Sequence, residues 1–163
     1  MDDNEMRNVF IPLLSTLSSL LFLLSCATLP KTEQKTIFVS LFYNETKEYG
    51  LSEKLNMAMV DEIIKDGNFK IEEREKADLI LSGRIVDDKK TPVAWTEKRE
   101  IIEFRIRMDI EFEVFYRDNS ILKKRLTEAI IYSEDEEKER QRLLKRISRS
   151  ICNELRRFIK GYK

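Results

Sequence analysis

The amino-acid sequence predicts an α+β fold, a two-layer sandwich of a mixed or antiparallel sheet of about four strands with two helices packed on one face. One long segment, Ile102–Tyr116, alternates regularly between apolar and charged residues. Two other segments, Leu51–Lys65 and the stretch after Ser133, repeat apolar residues at helical spacing. A sheet with one apolar face must bury that face, and two amphipathic helices are available to cover it. The predicted order is β-α-β-β-β-α, with one further brief strand.

The first predicted strand and helix come directly after a polar segment. Thr36–Tyr43 is mostly apolar and rich in β-favouring residues, which predicts a strand. Leu51–Lys65 has apolar residues on one helical face, at Leu55, Met59 and Ile63. Gly67 stands where a helix commonly ends in a left-handed residue.

The next two strands follow this helix. Phe69–Ile71 predicts the brief strand, and Ala77–Val86 predicts a buried one. A strand that follows a crossover helix usually returns right-handed and parallel to the first strand. We therefore expect a parallel pair here and antiparallel hairpins later in the chain.

The alternating segment Ile102–Tyr116 predicts a single long strand, since its residues match a period of two throughout. Arg117–Ser120 has turn-forming residues, and Ile121–Tyr132 is the predicted hairpin partner. The charged residues of the long strand predict an open, solvated sheet face. We expect this face to dock a partner rather than to support folding, and its residues are Arg105, Arg107, Asp109, Glu111 and Glu113.

The last element is a predicted long helix. Ser133 and Glu136 have the spacing of a capping box, in which each side chain bonds a free backbone N–H at the helix start. One apolar stripe follows, formed by Leu144, Ile147, Ile151, Leu155 and Phe158. Cys152 lies at the edge of this stripe, which favours a packed and unreactive thiol over a functional one.

The N-terminal segment predicts a secretion signal that ends at a lipidated cysteine. The apolar run Val9–Leu24 is short for a membrane span, which needs about 20 apolar residues, but suits a signal peptide. A start at Met6 would place Arg7 in front of this run. Leu23-Leu24-Ser25-Cys26 resembles a lipobox, which predicts cleavage before Cys26 and its palmitoylation; the alternative is a plain signal peptide. The predicted organisation is a signal over residues 1–25, a tether over 26–35 and one domain over 36–163.

The composition excludes several classes of function. The chain has no histidine, and lipidation at Cys26 would leave only Cys152, so catalytic triads with histidine and most transition-metal sites are excluded. No phosphate-binding glycine motif occurs, and basic and acidic residues balance at 30 each, so neither a cofactor nor nucleic acid is indicated. The carboxylates of Glu111 and Glu113 alternate with nearby arginines, which favours a solvated charge ladder over an acid–base pair. We expect a protein that is not an enzyme.

One predicted loop combines aromatic and cationic residues. Asp87–Arg99 holds the sole tryptophan, Trp95, and four bases, Lys89, Lys90, Lys98 and Arg99. An aromatic ring beside cations suits an anionic amphiphile, because the ring contacts apolar surface while the cations meet phosphates. The alternative is a hairpin tip with solvated lysines and a tryptophan folded back onto the sheet.

With these residues in place, the chain resembles the LptE (RlpB) family of lipopolysaccharide-assembly lipoproteins. The similarity rests on the lipobox cysteine, on Asn44-Glu45-Thr46 after the first strand, and on the stretch ADLILSGRI from Ala77 to Ile85. The resemblance implies a non-enzymatic plug and assembly partner of the outer-membrane β-barrel LptD, anchored in that membrane and binding lipopolysaccharide. It implies lipopolysaccharide contacts at a base before the long strand, Lys98 or Arg99, and at Lys138 before the last helix.

Two other functions remain open from the sequence. The same sandwich would suit a scaffold lipoprotein of another envelope complex that recruits periplasmic proteins. A carboxylate-dependent hydrolase would need a concave pocket with clustered acids. Co-purification with a large β-barrel would favour the LptE-like function over both of these alternatives.

Overall fold

The computed structural model describes residues 34–161 and has the predicted α+β two-layer architecture. The sheet has six strands rather than about four, because the predicted brief strand Phe69–Ile71 joins it and the first predicted strand is divided in two. The elements are β1 (Lys35–Val39), β2 (Tyr43–Asn44), α1 (Leu51–Asp66), β3 (Phe69–Ile71), β4 (Leu79–Trp95), β5 (Ile101–Tyr116), β6 (Asn119–Tyr132) and α2 (Glu136–Gly161).

The sheet is mixed and follows the predicted connections. Its order is β3-β1-β4-β5-β6, and β2 pairs with β4 beyond the end of β1. Strand β1 is parallel to β3 and β4, as expected for a crossover through α1. Strands β4, β5 and β6 form an antiparallel meander. Both helices contact each other and lie on one face, which leaves the other face open.

The core lies between the helices and the apolar side chains of the sheet. Helix α1 buries Leu55, Met59 and Ile63, which are the apolar positions that the helical spacing predicts. It also buries Leu51, its first residue. The alternating side chains of β5 meet them, and they are Ile106, Met108, Ile110, Phe112 and Val114. Cys152 of α2 is buried in the same core, and this burial raises the pKa of its thiol to about 12. The prediction of a packed thiol is therefore confirmed.

The predicted first strand is divided in two around a buried aromatic residue. Ser40, Leu41 and Phe42 separate β1 from β2, and the Ser40 N–H donates to the carbonyl of Leu81 at 2.8 Å. Phe42 is fully buried, and its ring lies where a β-carbon on Gly83 would stand, only 2.4 Å away. The close approach of this ring to the β4 backbone accounts for the glycine at position 83.

The prediction that Asp87–Arg99 is a loop is wrong, because β4 continues to Trp95. The strand keeps its pairing with β5 through this polar segment, with irregularities near Val86, Val93 and Ile102. Only residues 96–100 form the hairpin loop, which is closed by a hydrogen bond from the Thr96 N–H to the Glu100 carbonyl at 2.9 Å. Arg99 takes a left-handed conformation there, with φ of 62°.

The predicted capping box at the start of α2 is also wrong. The helix begins at Glu136, and the Lys138 N–H donates to Asp135 Oδ1 at 3.0 Å. The Glu136 side chain instead accepts from the Tyr132 hydroxyl at 2.8 Å and pairs with Lys90. Because these two side chains occupy the Glu136 carboxylate, it does not accept the backbone N–H that a capping box would require. Within residues 34–161, neither helix is apolar and long enough to cross a membrane.

Candidate binding surface on the open sheet face

The charged residues of β5 lie on the open face, as their alternation predicts. They oppose polar residues of both neighbouring strands, so that Glu111 lies between Arg84 of β4 and Arg125 of β6. Directly opposed residues of an antiparallel pair share a face, at Cβ separations of about 4.5–5.5 Å. The register therefore decides which charges meet.

Seven charged side chains form one continuous network across this face, which we call the ladder. Acids and bases alternate along it without interruption, and every link joins opposite charges. In order, its members are Glu45, Arg84, Glu111, Arg125, Asp109, Arg107 and Asp87.

The closest link of the ladder joins Arg84 to Glu111. Arg84 donates to Glu111 from Nη2 at 2.7 Å and from Nε at 3.0 Å, and to Glu45 at 3.0 Å. Arg125 bridges the next two acids, with Nη2 at 2.9 Å from Asp109 and Nη1 at 3.4 Å from Glu111. The hydrogen bond from Arg84 is the main cause that lowers the pKa of Glu111. Three of the predicted docking residues, Arg107, Asp109 and Glu111, are thus members of this network, whereas Glu113 pairs separately with Lys123.

Asp109 differs from its neighbours on the face because it is buried. Its side chain is 7% exposed and lies against Arg107 and Arg125. Burial works to raise the pKa of Asp109, but the hydrogen bond from Arg125 and the nearby positive charges outweigh it, so the pKa lies below its ordinary value. Asp109 is therefore an internal member of the ladder rather than a side chain free to meet a partner.

Two bases of the same face, Lys89 and Arg105, stand outside the ladder without an ion pair in the described region, whereas Lys123 pairs with Glu113. Lys89 lies opposite Arg107, and Arg105 lies between Thr91 of β4 and Ile131 of β6. Both bases are exposed, and neither makes an ion pair with any residue in the described part of the chain. Ile131 beside Arg105 is itself exposed. This part of the face thus offers positive charge beside apolar surface.

The end of the β4–β5 hairpin continues this arrangement. Trp95 is 53% exposed and Ile101, its partner in the pairing, is 46% exposed. Lys98 and Arg99 occupy the loop between them and make no ion pair with other residues of the 34–161 region. We call the whole region the hairpin-end surface, and its residues are Lys89, Trp95, Lys98, Arg99, Ile101, Arg105 and Ile131.

Acidic residues also occur in this region. Glu97, Glu100 and Glu103 lie in the loop and at the start of β5. With four bases against three acids, the local net charge is only +1. The surface is therefore distinguished by unpaired bases next to exposed apolar groups and not by a large excess of positive charge.

The structure separates Lys90 and Lys138 from this surface. Lys90 lies on the helix-covered face, where it pairs with Glu136 and sits 4.3 Å from the centre of the Phe104 ring. Lys138 is exposed in the first turn of α2, in the helical layer. Lys89, Trp95, Lys98 and Arg99 are brought together, whereas these two bases are not.

Arg105 was predicted to be a docking residue, but in the structure it belongs to the hairpin-end surface. Alternation placed it among the docking residues, yet it lacks the acidic partner that Arg107 has. The hairpin partner gave a partial signal, because the observed register puts Ile131 and not a carboxylate opposite Arg105, but that register depends on an irregularity at Val114 and Phe115 that the sequence does not show. Among residues 34–161, no three acidic or thiol side chains converge to hold a metal ion.

Comparison with known proteins gives structural relatives at low sequence identity. No curated protein sequence matches the chain. The hypothetical protein CT253 from Chlamydia trachomatis superposes with a TM-score of 0.57 at 10% identity, covering 75% of this chain and 95% of that chain. Protein XCC0632 from Xanthomonas campestris gives 0.55 at 8% identity, covering 77% and 85%. The PelC dodecamer from Paraburkholderia phytofirmans gives 0.51 at 11%, covering 71% and 86%. At these identities the likeness concerns the fold alone.

A family model supplies the assignment that these structures do not. The model for LptE, described as lipopolysaccharide-assembly, matches residues 34–158. The match spans most of the chain and includes β1 to β6 and nearly all of α2. The chain belongs to the LptE lipopolysaccharide-assembly family.

Proposed function

We propose that this LptE-family protein binds lipopolysaccharide at its hairpin-end surface and helps to assemble it at the cell surface, without catalysing a reaction. The observation that carries the proposal is the presence of unpaired bases beside Trp95, Ile101 and Ile131. Lipopolysaccharide presents phosphates next to acyl chains, and the surface offers cations next to apolar side chains. Each charge-assisted contact contributes about 1.5–3 kcal/mol when it is partly shielded from water.

The proposal includes a partner and a location. The partner is an LptD-like outer-membrane β-barrel, whose interior is polar and therefore suits the charged open face of the sheet. The ladder supports this docking mode because its charges are already paired and need no partner charge to enter the lumen. The location is the periplasmic side of the outer membrane, with Cys26 as the lipidated anchor. Cys26 lies outside the described residues, so this part rests on the lipobox and the family.

The test is a titration of the full-length protein in detergent with purified lipopolysaccharide, at low and moderate salt. The Lys98→Glu/Arg99→Glu variant should bind at least about tenfold more weakly, since about 1.4 kcal/mol corresponds to one decade. The Lys89→Gln/Arg105→Gln variant should also bind more weakly. Trp95→Ala should weaken binding with less dependence on salt, because it removes apolar contact rather than charge.

A matched control changes two bases elsewhere. Lys65 and Arg74 are exposed, make no ion pair among the described residues, and lie in the helical layer and beside β3. Lys65→Gln/Arg74→Gln alters net charge as much as Lys89→Gln/Arg105→Gln and should leave the affinity within about twofold of wild type, as expected of remote surface charges. Equal affinities for all these variants would refute lipopolysaccharide binding at the hairpin end.

A further inference from the structure

A polar cleft lies away from the hairpin-end surface, where the β2–α1 loop meets β4 and the start of α2. Its volume is about 430 Å³. The lining residues come from all three segments, so the fold assembles it from distant parts of the chain. They are Glu45, Thr46, Lys47, Glu48, Val86, Asp87, Asp88, Lys90, Glu136 and Arg140.

The lining of the cleft is rich in carboxylates. Five acids and three bases line it, and two of the acids, Glu45 and Asp87, also pair with Arg84 and Arg107, which do not line it. Two of the bases are already engaged, because Lys90 pairs with Glu136 and Arg140 pairs with both Asp88 and Glu136. Lys47 is exposed, and among residues 34–161 it has no acidic partner. Within the described region, Glu48 is therefore the lining acid that has no basic partner.

Asp88 is a buried acid of this lining. Its side chain is only 5% exposed, and Oδ2 accepts from Arg140 Nη1. The other oxygen, Oδ1, is buried and has no hydrogen-bond partner among the described residues. A buried carboxylate oxygen without a donor is unfavourable by about 1–3 kcal/mol or more, so Asp88 retains acceptor capacity on the buried side of the cleft.

The two ends of the ladder also reach this cleft. Glu45 and Asp87 each bond one arginine through a single oxygen, at 3.0 and 3.2 Å, which leaves the second oxygen of each free within the described region. Glu48 makes no ion pair with any residue from 34 to 161. Several carboxylate oxygens thus line one cleft with acceptor capacity to spare.

We propose that the cleft binds the side chain of an arginine presented by a partner protein. A guanidinium group carries five N–H donors in a planar fork and can meet several carboxylate oxygens at once. A metal ion fits less well, since no three acids of the described region converge on one point. The inference goes beyond lipopolysaccharide binding, because no cleft residue belongs to the hairpin-end surface.

The test uses NMR chemical shifts of the full-length protein in detergent, titrated with N-acetyl-arginine methylamide. The matched probe is N-acetyl-citrulline methylamide, which has nearly the same shape and no charge. The arginine probe should shift the backbone amides of Glu48, Asp87 and Asp88 in a saturable manner, and the citrulline probe should not.

Substitutions at two adjacent residues should change the affinity for the arginine probe in opposite directions. Neither Glu48 nor Lys47 is ion-paired within residues 34–161, so neither change should disturb the fold. Glu48→Gln should weaken binding of the arginine probe by about threefold to tenfold, and Lys47→Gln should strengthen it, because exposed charges contribute up to about 1 kcal/mol each.

Three outcomes would overturn the proposal. They are equal shifts with both probes, an unchanged affinity in Glu48→Gln, and cleft shifts with calcium chloride but none with the arginine probe. Lipopolysaccharide titrations of the same two variants should match wild type, so a failure here is distinguishable from a failure of lipopolysaccharide binding.

Discussion

Gly83 lies at the tightest contact in the sheet, and its replacement by alanine tests the packing directly. An added β-carbon would stand 2.4 Å from one Phe42 ring carbon, 2.8 Å from another and 2.5 Å from the Glu111 carbonyl oxygen. The Phe42 ring is fully buried and the carbonyl belongs to the paired strand β5. Neither neighbour has open space to move into, so β4 and β5 must separate or the ring must leave the core.

The expected loss of stability follows from these contacts. Overfilling a packed core is usually unfavourable by about 1–3 kcal/mol, and two independent clashes place this change near the upper value. With a urea dependence of about 2 kcal/mol per molar, a loss of about 3 kcal/mol lowers the unfolding midpoint by roughly 1.5 M. Urea unfolding followed by circular dichroism at constant pH measures this difference.

Two further variants identify the cause. Gly161→Ala is the control, because an added β-carbon there meets nothing within 4 Å, and it should change stability by no more than about 0.5 kcal/mol. Gly83→Ala should be less unfavourable in a Phe42→Leu background, since one of its two clashes is then relieved. A Gly83→Ala midpoint equal to that of wild type would refute the proposed contact.

Three other predictions follow from the same structure. Asp109→Asn should lower the free energy of unfolding by about 1–3 kcal/mol, because Arg107 and Arg125 lose a buried charged acceptor, and urea unfolding equal to wild type would contradict this. The pKa of Glu136 is lowered to about 2, chiefly by the hydrogen bond from Lys90, so its stabilising effect is complete above about pH 4.5 and is lost as the pH falls towards 2. Glu136→Gln should lose less stability across that interval, and an unchanged pH profile of unfolding would oppose the assignment. Cys26→Ala should abolish labelling with palmitate while Cys152→Ala retains it; retained labelling of Cys26→Ala would disprove the anchor.

Much of the fold could be predicted because two periodicities are unusually regular in this chain. The alternation along Ile102–Tyr116 predicts both the extent of β5 and which of its side chains lie on each face of the sheet. The spacing of Leu55, Met59 and Ile63 predicts the buried side of α1. Both patterns arise because one face of each element must be apolar to enter the core. Local bonding patterns were harder to predict. Ser133 and Glu136 have the spacing of a capping box, but Lys90, Tyr132 and Arg140 compete for the same carboxylate.

The extension of β4 shows why polar strand segments are mistaken for loops. Asp87–Trp95 contains charged residues, a proline and no apolar alternation, so its composition favours a loop. Its β-structure comes from outside the segment, because β5 provides a continuous row of backbone partners. Two of its acids also gain arginines from elsewhere, Asp87 from Arg107 and Asp88 from Arg140. Such tertiary pairing lies outside what local composition describes.

The division of the open face into paired and unpaired bases follows from register rather than from sequence spacing. Arg105 and Arg107 are two residues apart on the same face, yet Arg107 meets Asp87 and Asp109 while Arg105 lies between Thr91 and Ile131. A displacement of β4 or β6 by two residues in one direction would place Thr91 or Ile131 opposite Arg107 instead of Arg105. One strand therefore carries an internally paired segment, which we propose docks a partner, and next to it a cationic segment, which we propose binds an anionic ligand. Because the two segments share no ion pair, substitution of Arg105 should affect ligand binding while leaving the ladder intact.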